Sequence, residues 1–240
     1  MFAGITGQPL PADALNEFRR LAHDGMLPQG WTGGHVSGWG MYARCEEVAA
    51  VHIRSSVDAR VDPLYEEAAA TIQALKGRRV FMAHLRRASR GSVKVSNNHP
   101  FVVNGRAFMH NGSVKLKAIP LPGNVKPVGE TDSEKLFLML LEGFEDGDAL
   151  RTVQSLARKV GERATSMTFL MNDGGSLYAY RHYSRNGAYY TLYYALSEGS
   201  VFFASEPFLK GLSWRLIRNR SLVRASWING RAVLEELGKA

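Results

Sequence analysis

Apolar positions recur along this chain at two periods, and the period changes from segment to segment. Short apolar or alternating runs predict strands at Phe2 to Gly7, Gly38 to Ala43, Val48 to Arg54 and Arg79 to His84. Four more follow in the final third, at Thr165 to Met171, Ser176 to Arg181, Tyr189 to Leu196 and Val201 to Ala204, with turn signals at Asp173-Gly174-Gly175 and Glu198-Gly199. Helical spacing takes over where Leu15, Phe18, Leu21 and Ala22 line one face of Pro11 to Gly25, and again in Leu64 to Leu75, Thr131 to Leu141 and Ala149 to Val160. Ala107 to His110 and Ser113 to Leu116 read as a hairpin about Asn111-Gly112, because both residues of an Asn-Gly turn tolerate positive φ. Leu85 to Pro100 carries no period, and irregular segments of that length inside compact domains are usually functional or mobile. Strands open and close the pattern with helices between them, which suits layered α+β packing better than a βαβ alternation.

Composition narrows this to one domain over residues 1–240, since no repeat, low-complexity tract or charged linker divides the chain. With 45% hydrophobic and 22% charged residues and no apolar stretch near the roughly 20 residues of a membrane helix, no membrane partner is expected. The uncharged start MFAGITGQPLP does not resemble a secretory leader, so a cytoplasmic location is the default expectation. The lone Cys45 can form neither an internal disulfide nor a CxxC zinc pair, and it reads as a half-buried structural residue. No metal and no cofactor is expected. A net charge of +8 could draw acidic proteins, phosphates or nucleic acid. Much of it lies late, in Arg181 to Gly187 and Trp214 to Trp227, where a solvated basic face is favoured over a nucleic-acid groove.

Six motifs occur in order: Ala3-Gly4-Ile5-Thr6-Gly7, Ser37-Gly38-Trp39-Gly40, His84-Leu85-Arg86-Arg87-Ala88-Ser89, Asn98-His99-Pro100, His110-Asn111-Gly112 and Gly129-Glu130-Thr131-Asp132-Ser133-Glu134. Each alone has an ordinary structural reading. Asn111-Gly112 is a turn, Arg86 and Arg87 are strand-end charges, His99-Pro100 is a stiffened turn, and Thr131 with Glu134 is a helix capping box. Together, and followed by Ser205-Glu206-Pro207, they resemble the glutaminase domain of the class II, N-terminal-nucleophile glutamine amidotransferases.

The resemblance implies the four-layer αββα sandwich of the Ntn-hydrolase type, two antiparallel sheets face to face with helices outside. It also implies glutamine or a related small amide as ligand, and a partner subunit or ammonia acceptor on another chain. In this family an N-terminal cysteine attacks the amide and its own α-amine handles the proton. Here Ala3 occupies that position behind Met1 and Phe2, either by natural loss or by replacement. The Asn111 side-chain amide and the Gly112 backbone N–H match the oxyanion donors. Arg86 matches the arginine that forks onto the substrate α-carboxylate. Ser89 matches the hydroxyl residue beside it, His99 a pocket-lining residue, and Asp132 the partner of the α-ammonium. Arg90 stands where the family commonly has histidine, and Ser37 where it has aspartate. The implied function is a glutaminase-like domain that binds a glutamine-like ligand but is hydrolytically silent. The alternatives are an active amidotransferase carrying a cysteine replacement, or a basic nucleic-acid-binding module.

Overall fold

The computed structural model of the chain describes all residues except 47–48, 90, 116–120, 122–125 and 146. In chain order the elements are β1 (Phe2–Thr6), α1 (Ala14–Asp24), β2 (Trp39–Cys45), β3 (Val51–Ser55), α2 (Pro63–Ala74), β4 (Arg79–Leu85), β5 (Phe101–Val103), β6 (Arg106–Val114), α3 (Asp132–Glu145), α4 (Ala149–Val160), β7 (Ala164–Asn172), β8 (Leu177–Arg181), β9 (Tyr193–Ser197), β10 (Ser200–Ala204), β11 (Arg215–Leu216), β12 (Ser221–Ile228) and β13 (Arg231–Lys239).

Two antiparallel sheets result. One runs β11-β9-β10-β1-β4-β2-β3 and the other β13-β12-β8-β7-β6-β5. Side chains alternate between the faces of a strand, so each sheet buries two sets of residues. Phe2, Trp39, Met41, Phe81, Ala83 and Phe202 face α1 and α2, where they meet Phe18, Tyr65 and Ile72. Phe108, Phe169, Met171 and Tyr180 face α3 and α4, against Leu136, Phe137, Val153 and Leu156. The remaining faces, carrying Ala3, Ile5, Tyr42, Met82, Met109, Leu170, Ala179 and Phe203, meet each other and form a third core between the sheets. The architecture is the αββα sandwich.

Local chemistry accounts for the helix starts. Pro63 occupies the first turn of α2, and the Asp62 carboxylate accepts from Leu64 N at 3.1 Å. Asp148 caps α4 through Arg151 N at 2.9 Å. Thr131 caps α3, its Oγ1 accepting from Glu134 N at 3.2 Å, but the reciprocal half of the capping box is absent. The Glu134 carboxylate reaches further back, to Val128 N and Gly129 N at 2.8 and 2.7 Å, and so anchors the loop that precedes the helix.

The structure corrects three expectations. Asn111-Gly112 is no hairpin turn: both lie within the continuous strand β6, paired along β7. The turn falls instead at Asn104-Gly105, where φ is 49° and 73° and β5 doubles back onto β6. Tyr189 and Tyr190 precede β9, which begins only at Tyr193. The C-terminal hairpin of β12 and β13 carries its own Asn229-Gly230 signal, which the basic character of the surrounding sequence obscured. Val48, Arg90 and Leu116 lie outside the described residues.

Asp62 ties two layers together, because it also accepts from the buried Trp39 Nε1 at 2.9 Å. Replacing it with alanine removes a helix cap worth about 1 kcal/mol and leaves a buried N–H unsatisfied at about 1–3 kcal/mol. Urea unfolding of Asp62→Ala is therefore expected to show a loss of roughly 2–4 kcal/mol with an unchanged slope.

Candidate functional site

A cavity of about 530 Å³ opens where the layer between the sheets ends, and six of the seven site residues expected from the sequence line it: Arg86, Ser89, His99, Asn111, Gly112 and Asp132. They arrive from separate parts of the chain. Arg86 directly follows β4, and its backbone continues the pairing with β2 through Arg86 N to Gly38 O at 2.8 Å and Ser37 N to Arg86 O at 2.9 Å. Its buried guanidinium donates to Ser92 O at 3.2 Å and Asn98 Oδ1 at 3.4 Å, and burial lowers its pKa. Asn98 in turn donates to Ser55 O at 2.7 Å. The His99 carbonyl packs onto Gly40 so closely that an added Cβ there would lie 2.2 Å from His99 O, which explains the glycine beside Trp39. The His99-Pro100 bond is cis.

Asn111 and Gly112 sit where β6 bulges between Gly112 and Val114. Gly112 has φ 148°, and a Cβ would stand 2.1 Å from Ser166 O and 2.8 Å from His110 Nε2. Close approach of β7, not a turn, requires this glycine. The Asn111 carbonyl accepts from Ser166 Oγ at 2.9 Å, while its side-chain amide makes no hydrogen bond among the described residues and remains available to a ligand. Asp132 begins α3, and its carboxylate accepts from Val114 N at 2.6 Å and Ser133 N at 3.1 Å. That pair of bonds fixes the helix N-terminus to the end of β6 and holds the carboxylate at the cavity wall.

Four histidines, His35, His84, His99 and His110, line the cavity. His110 Nε2 lies 3.1 Å from Ser166 O and must donate there, so Nδ1 is the acceptor from Ser133 Oγ at 2.9 Å. Burial lowers its pKa, with Asp132 acting in the opposite sense. His84 and His99 stack with ring centroids 4.3 Å apart, and their four ring nitrogens have no partner among the described residues. Burial first, then neighbouring charges, holds both pKa values well below the ordinary histidine range. His84 was legible only as a motif residue, since nothing in the sequence indicates that it stacks on His99. The mouth is formed by residues that sequence reasoning missed. Arg87 lies 4.2 Å over the ring of Trp31 and donates to Thr32 O at 3.1 Å. Tyr189, Tyr190 and Arg185 complete the rim. An exposed tryptophan in the glycine-rich Gly30 to Gly34 stretch was the one available signal.

Ala3 does not line this cavity. It is wholly buried between the sheets, paired with Met82 and Phe203. Met1 and Ala3 point to the same face of the sheet, about 7 Å apart at the usual strand rise. Met1 is the one that reaches the site. It lines a small adjoining cavity together with Asn111, His35, Tyr189 and Ser205. The site residues thus converge one strand repeat beyond the alanine. Cys45 pairs with Arg79 while Leu85 of the cavity wall pairs with Trp39 on the same two strands, which puts the thiol about 20 Å away at roughly 3.3 Å per residue. As the chain holds one cysteine, no thiol faces the cavity.

Neutral buried histidines make folding pH-dependent. His84 and His99 have folded pKa values below the unfolded value of about 6.5, so the unfolded state binds the extra protons. Stability is complete above that value and is lost as pH falls below it. Unfolding free energies from urea titrations between about pH 7 and 5 are expected to fall, by up to roughly 1.4 kcal/mol per pH unit below about 6.5 for each histidine kept neutral. His84→Gln, which cannot titrate, is expected to show a shallower decline.

Comparison with known proteins identifies the family and the fold. The family described as glutamine amidotransferases class-II matches residues 10–198. "Putative glutamine amidotransferase YafJ" of Escherichia coli strain K12 is 34% identical over 112 residues, covering 41% of this chain and 44% of that protein. The uncharacterized protein MJ1515 of Methanocaldococcus jannaschii is 28% identical over 192 residues, covering 71% of this chain and 46% of its own length, so the chain spans less than half of these two relatives. Among solved structures, a glutamine aminotransferase class-II domain protein from Silicibacter pomeroyi superposes with a TM-score of 0.62 at 21% identity over 98% of both chains. The glutamine phosphoribosylpyrophosphate amidotransferase of B. subtilis superposes with 0.65 at 15% identity, over 99% of this chain and 49% of that one, a likeness of fold. With its family matched across most of its length and its motif residues gathered at one cavity, the chain belongs to the class-II glutamine amidotransferases.

Proposed function

We propose that the cavity binds glutamine or a closely related small amide and does not hydrolyse it. Arg86 takes the α-carboxylate, with Ser89 beside it, Asp132 takes the α-ammonium, and the Asn111 side-chain amide and Gly112 N–H receive the amide oxygen. His99 forms part of the wall. The observation that carries this reading is that a carboxylate, an arginine and an unengaged carboxamide face one cavity although 46 positions separate Arg86 from Asp132 in sequence. The silent character follows from two facts: Ala3 offers a buried methyl group, and no thiol faces the cavity. Such a domain would report the ligand to a partner chain or serve as a structural subunit.

Isothermal titration with glutamine and with glutamate tests the binding half. Saturable heat with glutamine is expected, and Arg86→Ala is expected to weaken it by about 1.5–3 kcal/mol, the scale of a charged hydrogen bond. No heat from either amino acid at millimolar concentration would overturn the reading. Ala3→Cys tests the other half. It is expected to release no ammonia from glutamine, because the new thiol would lie in the core between the sheets. Ammonia release by that variant would instead support an active amidotransferase whose cysteine had been replaced.

A further inference from the structure

The basic residues late in the chain are only partly used by the fold. Arg181 is fully engaged, since its guanidinium donates to the carbonyls of Tyr190, Ile217 and Gly187, each at 2.9 Å. Arg220 is not. A second cavity, of about 510 Å³ and separate from the one above, lies between the C-terminal half of α4, the start of β12 and the end of β13. Arg158, Arg220, Lys239 and His182 line it, with Glu162 as the one acidic side chain among its lining residues. Among the described residues none of the three cations forms an ion pair or a side-chain hydrogen bond. Arg158 stands in the last turn of α4, where it offsets the roughly half negative charge of the helix C-terminus. Arg220 and Lys239 share the cavity wall with Glu162 and Ala240, and all three cations are exposed to solvent there.

The backbone at Arg220 is closely held. Its φ is +65°, in the left-handed region that non-glycine side chains seldom occupy. It is held there from both sides, by Arg220 N to Arg181 O at 2.6 Å and Ala240 N to Arg220 O at 2.8 Å. The neighbouring Asn219 clamps Tyr183 through Tyr183 N to Oδ1 at 3.0 Å and Nδ2 to Tyr183 O at 3.3 Å. Arg220 is the third residue of a turn closed by Ser221 N to Arg218 O at 3.2 Å, and these bonds together fix where its side chain leaves the backbone. Beside Arg220, one residue beyond the Arg181 that its backbone bonds, His182 is buried, its Nδ1 has no partner among the described residues, and its Nε2 stands 3.5 Å from where a Cβ of Gly161 would be. Burial and Arg220 lower its pKa to about 4, so near neutrality it presents a neutral imidazole.

We infer that this second cavity binds a phosphomonoester, its dianionic head between Arg220, Lys239 and Arg158 and its organic part in the remaining volume. Arginine forks match phosphate oxygens, His182 can add an N–H donor, and cavities of about 300–1,000 Å³ suit organic ligands more than a bare ion.

Isothermal titration of the full chain with phenyl phosphate and with inorganic phosphate tests it, using wild type, Arg220→Gly, Lys239→Ala and Arg86→Ala. Glycine takes the positive φ at position 220 without strain, so an unchanged or raised melting midpoint will show that the variant folds. Phenyl phosphate is expected to bind saturably, at least about tenfold more weakly to Arg220→Gly, as the loss of a charged hydrogen bond requires, and within about twofold of wild type to Arg86→Ala. Lys239→Ala is expected to weaken it as well, and inorganic phosphate to bind less tightly through the same residues. Absence of saturable binding overturns the inference, as does binding unaffected at Arg220 and Lys239, or binding lost at Arg86, which would place the anion in the first cavity. Equal affinity for inorganic phosphate would overturn the organic part of the assignment.

Discussion

The apolar layer between the two sheets is the constraint on which the rest of this structure depends. Every second residue of the central strands enters it, and Ala3, Ile5, Met82, Met109, Leu170 and Phe203 make its centre apolar. A polar group in that layer would need a partner at each of its donors and acceptors. Chemistry is therefore confined to places where the layer ends. The larger cavity lies at such an edge, beyond Leu85 of β4 and at the bulge of β6.

This geometry governs which first-strand residue can act. A side chain on β1 or just before it reaches the site only if it both faces the other sheet and lies at the strand's end. Met1 satisfies both conditions and Ala3 only the first. The same edge tolerates buried polar groups that the layer itself would reject. Arg86 is held by Ser92 and Asn98, and Asp132 by two backbone N–H groups. At this edge the ring nitrogens of His84 and His99 are unmatched among the described residues, in the neutral form, in which the missing hydrogen bonds cost least.

Positive charge and tyrosine are both plentiful late in the chain, and part of each serves the interior. Tyr178 and Tyr180 are buried against α3 and α4, with the Tyr180 hydroxyl donating to Ala240 O at 3.1 Å. Arg181 is consumed by three carbonyls. Tyr189 and Tyr190 turn towards the larger cavity instead, packed edge to face at 4.9 Å. The basic character is divided between internal hydrogen bonding and separate local clusters.

Periodicity alone was enough to identify the four helices and the strands up to β10 other than β5, but not the C-terminal β12–β13 hairpin, because burial on one face imposes period two on a strand and 3.6 on a helix only where that face is buried. The ordered motifs added the family, and with it the layers and the residues that gather at Arg86, Asn111 and Asp132. Asn111-Gly112 marks where that inference stopped. Locally it is a favoured turn, and only the approach of Ser166 from β7, 54 positions beyond Gly112, makes it a bulge inside a strand. The stacking of His84 on His99, the Trp31–Arg87 rim and the burial of Ala3 behind Met1 were likewise settled by the tertiary structure. A sequence records which face a residue prefers, whereas the distance between two faces is set only when the sheets have packed.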